Sequence, residues 1–336
     1  MSRRVVILSP GGDFTADLLA LMARRGVEAD ALVLYLPDAL KPIRSSKGIA
    51  RLRAAALAPA RWVAWRARRR LAPPFSPSPR QFWGRGSGGE GPPAPGATPV
   101  VLTGTVNGAR MIRDLRRLEP DVVVLATCSL LTRAALDTAR EGVVNMHPGL
   151  LPWARGNNPS GNSLVRGVPL GCTAFWVDEG IDTGPMLDRR LLRVEPGPTT
   201  LQHLRDDLRA LWLEVTVDVI AAARSGADLP RVLQNRRFPL GRTIADPALL
   251  ATIDHAAASG RAHELFERWR PFADPDLRLP PDADARIAAA FPDAGTPAAT
   301  PARTDAPAGA LSSPVSAHAD ATRAHVAPAP ARGRDG

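Results

Sequence analysis

Asn145, His147 and Asp182 are the residues whose types could carry a reaction together. Asn offers a neutral hydrogen-bond donor, His a group that exchanges a proton near neutral pH, and Asp a fixed charge to tune it. That set suits an acyl transfer passing through an oxyanion. Asn145 and His147 lead into Pro148-Gly149-Leu150-Leu151-Pro152, and Asp182 sits within Asp178-Glu179-Gly180-Ile181-Asp182-Thr183-Gly184-Pro185. The grouping predicts an enzyme.

The elements that must position these residues are short apolar runs. Asp121 to Thr127 and Gly142 to Met146 are rich in Val and Leu, with a helix-like stretch from Leu131 to Arg140 between them, and read as consecutive parallel strands. Val5 to Ser9, a helix over Thr15 to Arg25 with Asp13 as its N-cap, and a strand over Ala31 to Leu36 form a β-α-β opening. The fold class predicted is α/β, a doubly wound, mostly parallel sheet. Ligands bind such sheets at the carboxyl ends of the strands, where Cys128, Ser129 and the Asn145–His147 pair emerge.

The motifs resemble those of the 10-formyltetrahydrofolate-dependent formyltransferases, the family of the glycinamide ribonucleotide, methionyl-tRNA and amino-sugar formyltransferases. The residues that carry the resemblance are Asn145-x-His147-Pro148-x-Leu150-Leu151-Pro152, Arg155-Gly156-x-x-Pro159, Gly171-x-Thr173 and Asp178-x-Gly180-x-Asp182-Thr183-Gly184-Pro185, in order and over roughly residues 100 to 195. The resemblance implies 10-formyltetrahydrofolate as donor and no metal. It implies that the donor's pterin is held by backbone at Cys128, Ser129, Leu130 and Leu131 and by the loop of Asp178, Glu179, Gly180 and Ile181. Asn145 and protonated His147 would steady the oxygen of the formyl group, and Asp182 would keep His147 charged and oriented. Arg155, Gly156 and Asn157 fall on the acceptor side. Two positions depart from the family, which often has Ser where this chain has Gly149 and His where it has Phe175; both suggest an altered acceptor pocket.

The acceptor expected is a primary amine of a small molecule, an amino-sugar nucleotide or a specialised-metabolite intermediate. An interrupted N-terminal half and a short C-terminal extension carry that choice over a methionyl-tRNA formyltransferase. A formyltetrahydrofolate hydrolase would need a further regulatory domain. Gly11 and Gly12, after a strand and before a helix, either cradle a phosphate of the acceptor with their N–H groups or make a tight turn that requires glycine.

The 336 residues are 45% hydrophobic, enough for a sizeable core, and carry a net charge of +10. That charge is concentrated: residues 41 to 85 hold twelve Lys and Arg and no Asp or Glu, leaving the remainder near neutral. The expected organisation is a catalytic domain over 1–224 with an insertion at about 41–99, an extension over 225–292, and a disordered tail over 293–336, poor in large apolar residues. The insertion, with Trp62, Trp65 and the Arg66 to Arg70 cluster, is either a solvated surface helix or a contact for a polyanion or anionic membrane surface. The N-terminus is too short for a signal peptide, no run spans a membrane, and two cysteines, Cys128 and Cys172, predict a reduced, cytoplasmic protein. Oligomeric state is not legible.

Three other readings fail on context. Gly84, Gly86 and Gly89 spell a dinucleotide fingerprint but follow Ser-Pro repeats and precede Pro92 and Pro93, so no helix dipole stands behind them. Cys128, Cys172, His147 and His203 lack metal-ligand spacing. Ser129 or Ser160 with His147 and Asp182 lacks a nucleophile elbow. The long apolar stripe from Leu201 to Val219 reads as core.

Overall fold

Runs of β-branched and aliphatic residues build the centre of the sheet: β1 (Val5–Ser9), β2 (Ala31–Leu36), β3 (Val100–Thr105), β4 (Val122–Leu125) and β5 (Gly142–His147). The computed structural model describes residues 2–36, 98–126, 129–235, 238, 240–241 and 247–294. The basic stretch 41–85, the triple-glycine run, Cys128 and the chain beyond 294 lie outside the described residues. β6 (Gly171–Trp176) and β7 (Met186–Leu191) complete a seven-stranded sheet in the order β3-β2-β1-β4-β5-β6-β7. The first five strands pair in parallel; β6 runs antiparallel to both β5 and β7. This is the doubly wound, mostly parallel sheet expected, and its order reverses between β1 and β4, where such sheets open a crevice.

Helices cover both faces. α1 (Asp13–Arg24) and α5 (Leu201–Ser225) bury Leu18, Met22, Val215, Val219 and Ile220 against Val5, Ile7, Val124, Val144 and Met146. On the opposite face α2 (Ala109–Leu118) and the single turn α3 (Arg133–Leu136) place Met111, Leu115 and Ala135 over Val6, Leu8, Val123, Leu125 and Val143. Two local expectations are corrected. Gly12, not Asp13, is the N-cap of α1, and Asp13 is its first residue, an acid at the positive end of the helix dipole. The Leu131–Arg140 helix shrinks to α3 because the N–H groups of Arg140 and Glu141 donate to the carbonyls of Pro120 and Asp121 (3.0 and 2.8 Å) rather than back along a helix.

α5 joins two cores. Its first turns, with Leu201, Leu204 and Leu208, turn away from the sheet into a second cluster. α4 (Pro159–Val165), α6 (Pro247–Ala258), α7 (Arg261–Trp269) and α8 (Ala283–Ala290) build that cluster around Trp153 and Trp269, whose rings meet edge to face at 4.8 Å. Among the described residues no helix is long and apolar enough to cross a membrane.

Candidate active site

β5 alternates, so Val143, Asn145 and His147 project from the α2/α3 side of the sheet and Val144 and Met146 from the other. Asn145 lies opposite Leu125 on β4 and Phe175 on β6; His147 lies opposite Thr173. Both side chains are buried, at 7% and 4% exposure. His147 Nε2 is 2.6 Å from the carbonyl oxygen of Ala154, and since a carbonyl only accepts, Nε2 carries the proton. Nδ1 faces Asp182 Oδ2 at 3.6 Å. The same carboxylate oxygen accepts the N–H of Gly156 at 2.9 Å, so Asp182 ties the residue after Arg155 to the histidine.

The spacing of the Asp178 to Pro185 segment follows from how its loop closes. Asp178 Oδ1 accepts the Gly180 N–H (3.0 Å) and the Thr183 hydroxyl (2.6 Å), a local Asx-type clasp. Asp182 then adopts a left-handed φ of 52°, uncommon outside glycine, which turns its carboxylate back toward His147. A side chain on Gly184 would put its Cβ 1.7 Å from the Trp176 carbonyl oxygen, so only glycine lets the loop return to the sheet.

Asn145 carries the most telling feature: its Oδ1 is buried with no hydrogen-bond partner. A buried polar atom left unpaired costs about 1–3 kcal/mol, which a bound group with a polar hydrogen would recover.

The loop between β5 and α4 is held from behind. The Thr173 hydroxyl donates to the Gly149 carbonyl (2.8 Å) and accepts the Leu151 N–H (3.0 Å). Arg155 turns inward, is 8% exposed and donates to the Phe238 carbonyl, so this side chain braces the loop; of Arg155, Gly156 and Asn157, only Asn157 presents an exposed side chain. Gly156 and Gly241 lie backbone to backbone, with Gly241 N–H donating to the Arg155 carbonyl (2.7 Å) and Asn157 N–H to the Gly241 carbonyl (3.2 Å). Arg166 donates to the Trp153 carbonyl at 3.1 Å; burial, then the charge of nearby Arg155, hold its guanidinium below the usual arginine range. Phe175 is buried with Leu151 and Met186, filling apolar space beside the site.

On the expected donor side, Ser129 shares a 2.6 Å hydrogen bond with the Tyr35 hydroxyl, and Leu131 is partly buried against the sheet. Leu130 and Ile181 are 68% and 43% exposed, two of the four large apolar side chains left open to solvent among the described residues. Glu179 and Gly180 are exposed alongside them. Sequence reasoning missed what pins this side. Asn107 donates to the Leu130 carbonyl (2.9 Å) and accepts the Thr132 N–H (2.8 Å), and Gln234 donates to the Gly184 carbonyl (2.5 Å). Only Asn107-Gly108 carried any local signal, that of a turn.

Gly11 and Gly12 have φ of 83° and 89°, which makes glycine the fitting residue for the turn. The Gly11 N–H donates to Ser9 Oγ at 3.0 Å. Cys172, in β6, points to the α1/α5 side, away from His147, and His203 pairs with Asp207 on the exposed face of α5. Ser160 accepts from Arg205 and does not reach His147.

Residues 103–220, which include Asn145, His147 and Asp182, match the family model described as formyl transferase. Over this stretch the chain is similar to the formyl transferase family. The chain is similar to a methionyl-tRNA formyltransferase of Aromatoleum aromaticum, 32% identical over 168 residues that cover 49% of this chain and 48% of that one. The chain thus spans about half the length of this curated relative. Among solved structures it is similar to glycinamide ribonucleotide transformylase 1 from Symbiobacterium toebii (17% identity, TM-score 0.43, 69% of this chain and 93% of that one). It is also similar to a 4-N formyltransferase from Francisella tularensis (13% identity, TM-score 0.44, 76% and 87%).

Proposed function

We propose that this protein transfers a formyl group from 10-formyltetrahydrofolate to a primary amine of a small molecule. The observation that carries the reading is the buried, unpartnered Oδ1 of Asn145 on the same strand face as His147, whose Nδ1 faces Asp182 at 3.6 Å. A neutral amine N–H satisfies that oxygen, and the amide NH₂ of Asn145 then lies beside the carbonyl that the amine attacks. The donor supplies an activated formyl carbon. The new C–N bond forms to the acceptor as the bond from that carbon to N10 breaks, and the proton lost by the acceptor passes to N10. In this reading the chain's own residues orient and desolvate: Asn145 positions the amine, His147 and Asp182 relay the proton, and Leu130 and Ile181 offer apolar faces to the flat pterin. Leu130 and Ser129, held by Asn107 and Tyr35, supply the backbone that flanks it.

The choice of a small amine rests on the chain beyond β7. Among the described residues the named elements after Leu191 are helices, which pack on the sheet through the later turns of α5 and otherwise into the cluster around Trp153 and Trp269, with no further strands to close a nucleic-acid-binding barrel. A second reading, methionyl-tRNA as acceptor, draws on the similar proteins and on the twelve cations of residues 41–85. Mass spectrometry separates the two. The full chain is incubated with 10-formyltetrahydrofolate and, in parallel, amino-sugar nucleotides, other small amines and methionyl-tRNA. A formyl gain on a small amine supports the proposal; formylation of methionyl-tRNA with every small amine inert replaces it with the second reading; no transfer to any acceptor refutes both.

A further inference from the structure

Gly149 follows the histidine by two residues, and nothing in its backbone demands glycine: it is absent from the positions of positive φ. Space demands it. A Cβ at 149 would stand 2.8 Å from His147 Nε2, 2.9 Å from the Ala154 carbonyl oxygen and 2.9 Å from Pro159 Cβ, closer than real Cβ atoms come. Two of those three atoms are the partners of the 2.6 Å hydrogen bond that seats the imidazole. The missing side chain is therefore what lets His147 rest on Ala154.

That seat decides which ring nitrogen is available. With the Nε2 proton committed to a carbonyl, the neutral imidazole presents a bare lone pair at Nδ1 to Asp182 Oδ2, also an acceptor, 3.6 Å away. Two acceptors attract only when a proton lies between them. We propose that Gly149 is a positioning residue that fixes His147 as the Nε2–H tautomer and so makes Nδ1, on the Asp182 side, the atom that takes up and releases a proton. This rests on the formyl-transfer reading for its purpose but not for its test. The surroundings are held as well: the Gly149 carbonyl accepts the Thr173 hydroxyl, the Ala154 N–H donates to the Leu150 carbonyl and Asp182 accepts the Gly156 N–H, so the glycine and both partners of the imidazole are tied in place.

The test is ¹⁵N NMR of the imidazole nitrogens in the full chain, with the His147 signals assigned by comparison with His147→Gln. Wild-type protein at a pH where His147 is neutral should show a protonated Nε2 and an unprotonated Nδ1. Gly149→Ala should displace the ring and remove that pure pattern, giving averaged shifts or the Nδ1–H form. A wild-type spectrum dominated by Nδ1–H overturns the proposal, as does a folded Gly149→Ala protein with unchanged shifts. If Gly149→Ala does not fold, the wild-type tautomer alone decides. Failure of formyl transfer in every acceptor assay would sink the functional reading and leave this measurement standing, so the two are distinguishable.

Discussion

Replacing Asp182 separates what that residue does for the fold from what it does for the reaction. Asp182→Asn keeps an oxygen to accept the Gly156 N–H, now held at 2.9 Å, but removes the charge facing His147 at 3.6 Å. At an effective dielectric constant of about 20 a unit pair at that separation is worth roughly 4.6 kcal/mol. Solvent reduces this, because the Asp182 side chain is 16% exposed, so we expect a loss nearer 3 kcal/mol, or about a hundredfold in kcat/KM. Asp182→Ala loses the charge and also strands the Gly156 N–H, adding about 1–3 kcal/mol of destabilisation. At roughly 2–4 °C per kcal/mol for a domain of this size, its melting temperature should fall by about 2–12 °C while that of Asp182→Asn stays within about 2 °C of wild type. The assays are tetrahydrofolate release with the acceptor identified in the panel, and calorimetric melting. Asp182→Asn with more than about a third of wild-type kcat/KM would refute the argument, since no charge-dependent step could then pass through this pair.

His147→Ala should lower formyl transfer by about a hundredfold or more with the sheet intact by circular dichroism; near-normal transfer would discard the mechanism. Trp153→Ala removes a fully buried ring that meets Trp269 at 4.8 Å, and should destabilise by about 3–5 kcal/mol in denaturant melts, with a loss under about 1 kcal/mol showing that the second cluster does not hold the β5–α4 loop. Asp218 gives a pH prediction: burial would raise its pKa, but hydrogen bonds from Arg190 and Arg25, with their charges, outweigh burial and lower it. A lowered carboxylate stabilises the fold above its unfolded value of about 3.9 and loses that contribution as pH falls through the folded value, so wild type and Asp218→Asn should differ in melting temperature at pH 7 and converge at the acid end. A constant difference across pH would contradict the ion pairing. Finally, if residues 41–85 bind a polyanion or anionic lipid, binding should weaken steeply with salt and with Arg68, Arg69 and Arg70 changed to Glu; no binding to either partner at low salt would discard that reading.

What the sequence determined by itself is what local periodicity and local sterics can encode. The Val- and Leu-rich runs over β1, β4 and β5 read as buried parallel strands because a strand covered on both faces must be apolar throughout. Asn145 and His147 broke that pattern and so announced themselves, and the Asp178 to Pro185 spacing is that of a loop closed by its own first aspartate and by a glycine under the Trp176 carbonyl. The tertiary structure decided the rest. Asn107 pins Leu130 and Gln234 pins Gly184 only because residues far apart in the chain become neighbours, and no window of sequence contains both partners. Arg155 reads as a cation for a substrate until the fold carries Phe238 to it. Gly149 reads as a lost side chain, whereas in three dimensions it is the space in which His147 reaches Ala154. A residue's type records its chemistry, but which of its atoms remain available is set by what long-range packing has already bonded.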